Sequence, residues 1–435
     1  MLRIITQQDV KAELQRICDR TRDEQVLHKE ATVREVLQAV KRQGDKAVLY
    51  YTAEFDHQIL KPEELRISTS EMDAAYQQVS RELLQAVRLA CRQIEAFHRQ
   101  RVPKNWVHFG DDEVVFGKRY TPIERVGLYV PRSRTSSIST VLTNAIPAKV
   151  AGVPSIAMVT PPRAGKINPG LLVAAQEAGI KEIYRVGGAQ AIAALAYGTE
   201  TIPKVNLIAG PGNIYVTLAK KLVYGDVGIN TLTTTSEVLI IADNTANAVH
   251  VAADMLSQAE HEPMAAAILM TTNTTLAKNV QVAVERQLVN HPRRLDTEKA
   301  LAHNGLIVIV ESLEAAAEFC NEFAPEHLEL AVEDPWAVLP LIRHAGAIFL
   351  GHSTPKAVGD YVAGANHILP ASGSSRYAST LGVENFLKYS NLIQYSQTAL
   401  ENIASTIDIL ANAEGLTSHA DSVRQRVQIN RDEDL

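Results

Sequence analysis

Three cysteines in 435 residues, Cys18, Cys91 and Cys320, are odd in number and scattered, so they make no disulfide framework; without CxxC spacing they offer no thiolate metal site. A basic excess is missing too. The formal net charge is −6, which leaves no cationic surplus to neutralise phosphates and argues against nucleic acid as the main partner. No apolar run approaches bilayer length. The opening MLRIITQQDVKAELQRICDR lacks the continuous apolar core of a secretory signal, and the expected location is the cytoplasm. Internal repeats, low-complexity segments and a GxGxxG fingerprint are all lacking, so motif rules alone do not point to a dinucleotide. What is present is an ordinary globular composition, 46% apolar and 21% charged, in a chain long enough for two or more domains.

The first hundred residues read mostly as helix: VREVLQAVKRQGDKAV and SRELLQAVRLACRQIEAFHRQ carry apolar residues at helical spacing. From Val126 the texture changes. VGLYV, SIAMVT, EIYRVGG and VNLIAG are short strand-like runs separated by helical segments such as LLVAAQEAG and AQAIAALAYG. A second series, EVLIIAD, AAAILMTT, GLIVIV and GAIFLG, again has helices between. Such alternation predicts parallel sheets covered on both faces. The fold class expected is therefore α/β: two Rossmann-like parallel-sheet domains, with helical N-terminal and C-terminal segments. In sheets of this kind ligands bind beyond the carboxyl ends of the strands, which directs attention to the loops leaving them. Gly187-Gly188 and AGPGN (Ala209 to Asn213) are strand-to-helix turns where glycine permits close backbone approach.

Polar clusters stand out against this frame. In NEFAPEHLELAV, Glu326 and His327 lie side by side between a helix-like run (Ser312 to Phe323) and a strand-like tail (Leu328, Leu330, Val332). Both groups move protons; solvated loop residues are the plain alternative. In DMLSQAEHEP, Gln258 and His261 are three apart and project from one face of a helix's last turn, ahead of Pro263; a solvated helix cap would look the same. GHSTPKAVGDYVAGANHILP brings Asp360 and His367 into a glycine-rich stretch after GAIFLG. NAEGLTSHAD holds Glu414 and His419, and the capping-box spacing of Ser418 and Asp421 places His419 in the first turn of a short helix. There the positive helix end disfavours imidazolium and keeps the ring able to ligate. Gln, His, Asp and His offer nitrogen and oxygen without thiolate, a set compatible with Zn²⁺ or Mn²⁺.

With these residues in hand the chain resembles the histidinol dehydrogenase family over nearly all its length. The resemblance is carried by ERVGLYVP, VGGAQAIAALAYGT, AGPGNIYVTLAKK, SEVLIIAD, LSQAEH, FAPEHLEL, GD…GANHILP and EGLTSHA, in the family's order. It implies a homodimeric enzyme of histidine biosynthesis that oxidises L-histidinol to L-histidine through an aldehyde with two NAD⁺, while zinc grips the substrate. By motif matching, Gln258, His261 and Asp360 of one chain and His419 of an intertwined partner would bind zinc. Tyr129, Gln190 and Asn213 match positions at NAD. Ser236, His327, His367, Glu414 and the zinc ligands match positions at the substrate. His327, neutral near pH 7, would take the alcohol proton. Glu326 would activate the water that attacks the aldehyde, provided burial lifts its pKa toward neutrality. The resemblance also implies a division: residues 1–27 as a helical start; 28–129 with 236–381 as a discontinuous domain carrying the metal and catalytic residues; 130–235 as the NAD domain; 382–435 as a helical tail reaching the partner.

Two segments depart from the family pattern. Where relatives continue Pro-Gly-Gly after the tyrosine, this chain has Pro131-Arg132-Ser133 and then Arg134 to Ser137; where they have Gly-Pro before Ser236, it has Thr234-Thr235. Added bulk is expected to weaken NAD⁺ binding, unless Arg132 grips the pyrophosphate instead. Three other functions compete on sequence alone: a same-fold dehydrogenase of another small polar alcohol such as a sulfonated diol, a zinc hydrolase using Glu326 and His327 on metal-bound water, and a catalytically idle paralogue.

Overall fold

The computed structural model describes residues 2–20, 25–132, 138–230, 232 and 236–432, which fall into two compact units. The first comprises Met1–Val102 with Ile123–Phe386, the second Pro103–Pro122 with Leu387–Leu435. The first unit holds two parallel sheets. The fourteen strands among the described residues are numbered in chain order throughout.

The six-stranded sheet has the order β1-β11-β10-β9-β12-β13: Arg3–Thr6, Gly305–Ile309, Ala266–Thr271, Glu237–Ala242, His327–Ala331 and Ala347–Leu350. All its ladders are parallel. Strands such as EVLIIA and AAILMT are buried along their whole length, as expected where helices cover both faces. Leu239, Ile241, Ile268 and Val308 point into one apolar cluster, and Val238, Ile240, Ala267 and Ile307 into another, the period-two alternation of a pleated strand. The N-terminus is not purely helical: the edge strand β1 pairs Ile4 with Ile307 and Ile5 with Val308.

The five-stranded sheet has the order β6-β5-β4-β7-β8: Glu182–Arg185, Ser155–Thr160, Arg125–Tyr129, Leu207–Ala209 and Gly228–Ile229, again parallel. One face packs Val126, Leu128 and Met158 against Val87 and Ile94 of helix Arg81–Arg99. The other packs Tyr129, Val159 and Ile208 against Val33, Val36 and Val48. The helices between residues 28 and 99 thus cover this sheet. The division that groups 28–129 with the metal-bearing sheet differs from this packing, because the apolar faces of these helices meet the Val126–Tyr129 strand and its neighbours. Within them, VREVLQAVKRQGDKAV is two helices, Gln25–Gln43 and Asp45–Asp56. They part at Gly44, whose φ of +53° suits glycine and whose Cβ position is filled by the Glu200 carboxylate.

The second unit is not a helical tail alone. Its antiparallel sheet runs β14-β3-β2, with β14 Leu387–Gln394, β3 Val115–Pro122 and β2 Trp106–Phe109. Helices Gln397–Ala413 and Thr417–Asp432 follow β14, and Arg424 of the second helix pairs with Asp408 of the first.

Candidate active site between two sheets

Strand order reverses beside β4 in one sheet and beside β9 in the other, and such reversals open crevices at sheet ends. In the five-stranded sheet the crevice is at the carboxyl ends. Tyr129 closes β4, and Asn213 follows β7 and caps helix Ile214–Val223, its Oδ1 accepting from Tyr215 N and Val216 N at 3.1 Å each. Gly210, at φ +110°, lies so close that a Cβ there would strike the Tyr129 carbonyl. The Gly188 N–H donates to Tyr129 Oη at 3.1 Å. Tyr129, Gly188, Gln190, Asn213 and Arg132 line one cavity of about 520 Å³. Gln190 is fully buried, yet neither amide atom has a partner among the described residues. A buried amide left so is costly unless a ligand completes it. This cavity lies at the carboxyl ends of a parallel sheet, where such folds bind their ligands, and its residues could hold a cofactor. Arg132 is tied to its rim, donating from Nη1 to the Pro162 carbonyl at 2.9 Å. Ser133, Arg134, Thr135, Ser136 and Ser137, and likewise Thr234 and Thr235, lie outside the described residues.

In the six-stranded sheet the site is at the opposite, amino ends of the strands. Helix Leu313–Phe323, capped by Ser312, ends in Ala324 at φ +54°, a left-handed conformation unusual for a residue with a Cβ. Pro325 and Glu326 follow, and His327 opens β12. Ser236 stands just before β9. The candidate residues of the first sheet close or follow its strands, whereas Glu326 precedes a strand and His327 opens it. Glu326 Oε2 accepts from Ser236 Oγ at 2.7 Å and from Glu237 N at 2.9 Å. His327 Nδ1 lies 3.0 Å from the Glu237 carbonyl oxygen. A carbonyl only accepts, so Nδ1 carries the proton and Nε2 presents a lone pair, buried and without a partner among the described residues. The Phe349 ring stacks on the imidazole at 6.2 Å.

The ionisation of Glu326 corrects the sequence reading. Burial does push its pKa up, but the neighbouring His327, the Ser236 hydroxyl and the Glu237 N–H outweigh burial and hold it below the usual range. Behind it is a residue that sequence inspection missed. Glu237, fully buried, pairs with Arg20 Nη2 at 2.9 Å and accepts from Ser372 N at 2.9 Å. Its backbone therefore holds both proton-moving groups, while its side chain anchors the strand end.

His261 follows helix Ala248–Ala259, one turn beyond Gln258. Burial, with Lys356 adding, lowers the pKa of His261 to about 4, so the ring is neutral at pH 7. Asp360 is ionised: burial opposes this, but Lys356, His327 and His367 outweigh it. Gln258 is fully buried with both amide atoms unpartnered among the described residues. Lys356 Nζ stands 3.0 Å from Asp360 Oδ2 and 3.4 Å from His261 Nε2. A cation thus already sits against the two candidate ligands, and their donor chemistry suits zinc. No cluster of three His, Cys, Asp or Glu suited to a metal occurs among the described residues. His261, Ser236, Glu326, His327, Asp360 and His367 line one cavity of about 520 Å³. Thr140 Oγ1 approaches His367 Nε2 at 3.5 Å.

Glu414 and His419 belong to the second unit, where both are exposed. His419 does fall in the first turn of helix Thr417–Asp432. The capping box does not form: Ser418 lies inside the helix, and Asp421 pairs with Arg424 at 2.8 Å. Lys356 was legible in principle, since it stands one helical turn before Asp360. Glu329 was not. It accepts from Lys356 N at 2.8 Å through Oε1, and burial beside the Asp254 carboxylate pushes its pKa up.

A cavity with a buried, unpartnered amide at one sheet end and a buried carboxylate–imidazole pair beside candidate metal ligands at another define a metal-assisted dehydrogenase. The histidinol dehydrogenase family model matches residues 19–427. Histidinol dehydrogenase 2 of Trichormus variabilis is 78% identical over 430 residues, covering 98% of this chain and 99% of that one. Histidinol dehydrogenase of a Synechococcus species is 64% identical, covering 98% and 99%. The crystal structure of histidinol dehydrogenase from Elizabethkingia anophelis is similar at a TM-score of 0.92 and 37% identity, covering 99% of this chain and 98% of that one. The chain belongs to the histidinol dehydrogenase family. It is accordingly an oxidoreductase that uses NAD and zinc, and in the described residues no helix is long and apolar enough to cross a membrane.

Proposed function

We propose that this chain oxidises L-histidinol to L-histidine through L-histidinal, with His327 and Glu326 dividing the proton transfers. The observation that carries the reading is the fixed tautomer of His327, whose free Nε2 lone pair belongs to a ring lining the cavity. In the first half-reaction Nε2 accepts the hydroxyl proton as a hydride leaves the carbinol carbon. In the second, the Glu326 carboxylate accepts a proton from the water that adds to the aldehyde carbon, and the Nε2 proton gained in the first half-reaction passes to the aldehyde oxygen, which leaves His327 neutral again. His327 then takes the hydrate's hydroxyl proton as a second hydride leaves. The hydrogen bonds to Glu326 all fall on Oε2, and they keep the group ionised and ready to accept a proton. When bound, NAD accepts the hydrides and zinc supplies a positive centre that orients polar substrate atoms.

Gln258, His261 and Asp360 would hold zinc from one chain and His419 of the partner subunit would complete it. Glu414 is assigned to the substrate ammonium, Ser236 and His367 to further substrate contacts, and Tyr129, Gln190 and Asn213 to NAD. The second unit supports a dimeric reading, since it exposes Phe109, Ile393 and Leu410 to 77%, 74% and 60%, an apolar surface that a second chain would cover. The test is steady-state turnover of histidinol and histidinal. His327→Ala should lower both by about 10²-fold or more. Glu326→Gln should slow the aldehyde step more than the alcohol step. Equal losses on both substrates for Glu326→Gln would remove its role in activating water.

A further inference from the structure

Lys356 sits where the metal would. The side chain is 2% exposed, and its backbone is pinned by the bond from Lys356 N to Glu329 Oε1 at 2.8 Å. Its ammonium points at two acceptors, Asp360 Oδ2 at 3.0 Å and His261 Nε2 at 3.4 Å. An ammonium only donates, so Nε2 meets it with its lone pair, the same lone pair a metal would take. Zinc bonds to nitrogen and carboxylate oxygen at about 2.0–2.2 Å. An ion that close to both atoms would stand against Nζ, two cations in one buried space. Both cannot be held at once.

We propose that Lys356 is a built-in competitor for the metal: its ammonium occupies the cradle of His261 and Asp360, and zinc enters only as that side chain swings out. The inference rests on reading His261 and Asp360 as zinc ligands. The lysine stem is long and flexible, and the residue lines the open cavity beside the cradle, which gives the side chain somewhere to go. Until the metal arrives, the ammonium compensates the Asp360 charge and keeps both ligands facing one point. Zinc therefore binds this chain more weakly than the ligand set alone would allow.

The test uses the full-length protein stripped of metal and titrated with zinc against a chromophoric chelator. Lys356→Met and Lys356→Gln should each bind zinc about tenfold or more tighter than wild type, while His261→Ala should lose zinc in either background. A second measurement needs no variant. Limited acetylation of wild type, mapped by mass spectrometry, should label Lys356 several-fold more once zinc is added, because the amine has left its buried seat. Equal affinity in wild type and both Lys356 variants, with His261→Ala still losing zinc, overturns the competition and leaves the metal site standing. Unchanged labelling does the same if neither variant folds. Zinc retained at full affinity by His261→Ala overturns the ligand assignment and the competition together.

Discussion

At the scale of single residues, burial acts on ionisable groups in opposite directions according to what touches them. Glu326 is buried and yet ionised, because three groups stabilise its charge. His98 is buried with no hydrogen-bond partner for either ring nitrogen among the described residues. It lies in helix Arg81–Arg99, fully buried. Burial lowers its pKa to about 4, with Arg101 adding to the effect and Glu384 opposing it. The unfolded chain, with an ordinary histidine pKa of about 6.5, takes up this proton before the folded one does. The stability from keeping His98 neutral is thus complete above about pH 6.5 and lost as pH falls toward 4, at up to about 1.4 kcal/mol per pH unit. His98→Phe should flatten the fall in melting temperature between pH 7 and pH 5. It should not abolish the fall, since His261 shifts the same way. Parallel curves for variant and wild type would show that His98 titrates normally.

At the scale of elements, the alternation of apolar runs was enough to read both parallel sheets. It missed β1, β2, β3, β8 and β14, since RIIT and the two residues of β8 carry too little pattern, and WVHF and most of LKYSNLIQ are exposed. The helix-like run read from Ser312 to Phe323 forms with Ser312 as its cap, whereas the capping-box spacing misled at Ser418, where the helix starts earlier. Asn213 has two duties that can be separated. Its side chain caps helix Ile214–Val223, and the residue lines the cavity proposed for NAD. Asn213→Ala should cost about 1 kcal/mol of stability, a lowered melting temperature in the absence of NAD⁺, and should also weaken NAD⁺ binding. Asn213→Ser should restore the melting temperature but not the affinity. If serine restores both, the cofactor needs the capped helix and not the amide.

At the scale of the whole molecule, the proposed zinc set is divided between a first unit that carries Gln258, His261 and Asp360 and a second that carries His419. If the second unit serves a partner chain, homodimers of His261→Ala and of His419→Ala should both be inactive. A mixed dimer keeps one intact site: the His419→Ala chain retains its own His261 and takes His419 of the partner subunit. Co-refolding the two inactive proteins should therefore return part of the activity. Verified heterodimers without activity would mean that His419 serves its own chain.

Sequence by itself determined the class of fold, the family and the residue types of the site, because sheet periodicity and contiguous motifs such as FAPEHLEL and LSQAEH are local properties of the chain. Tertiary structure alone decided the rest. The amino ends of β9 and β12 bring the candidate catalytic residues together because parallel pairing sets His327 beside Val238, which brings Glu326 within reach of Ser236. Arg20 meets Glu237 across 217 residues of chain, and Lys356 meets His261 across 95. Charges so distant in sequence act on one another only after folding has removed the water between them, and whether a buried group is ionised is fixed by those neighbours and not by its own type.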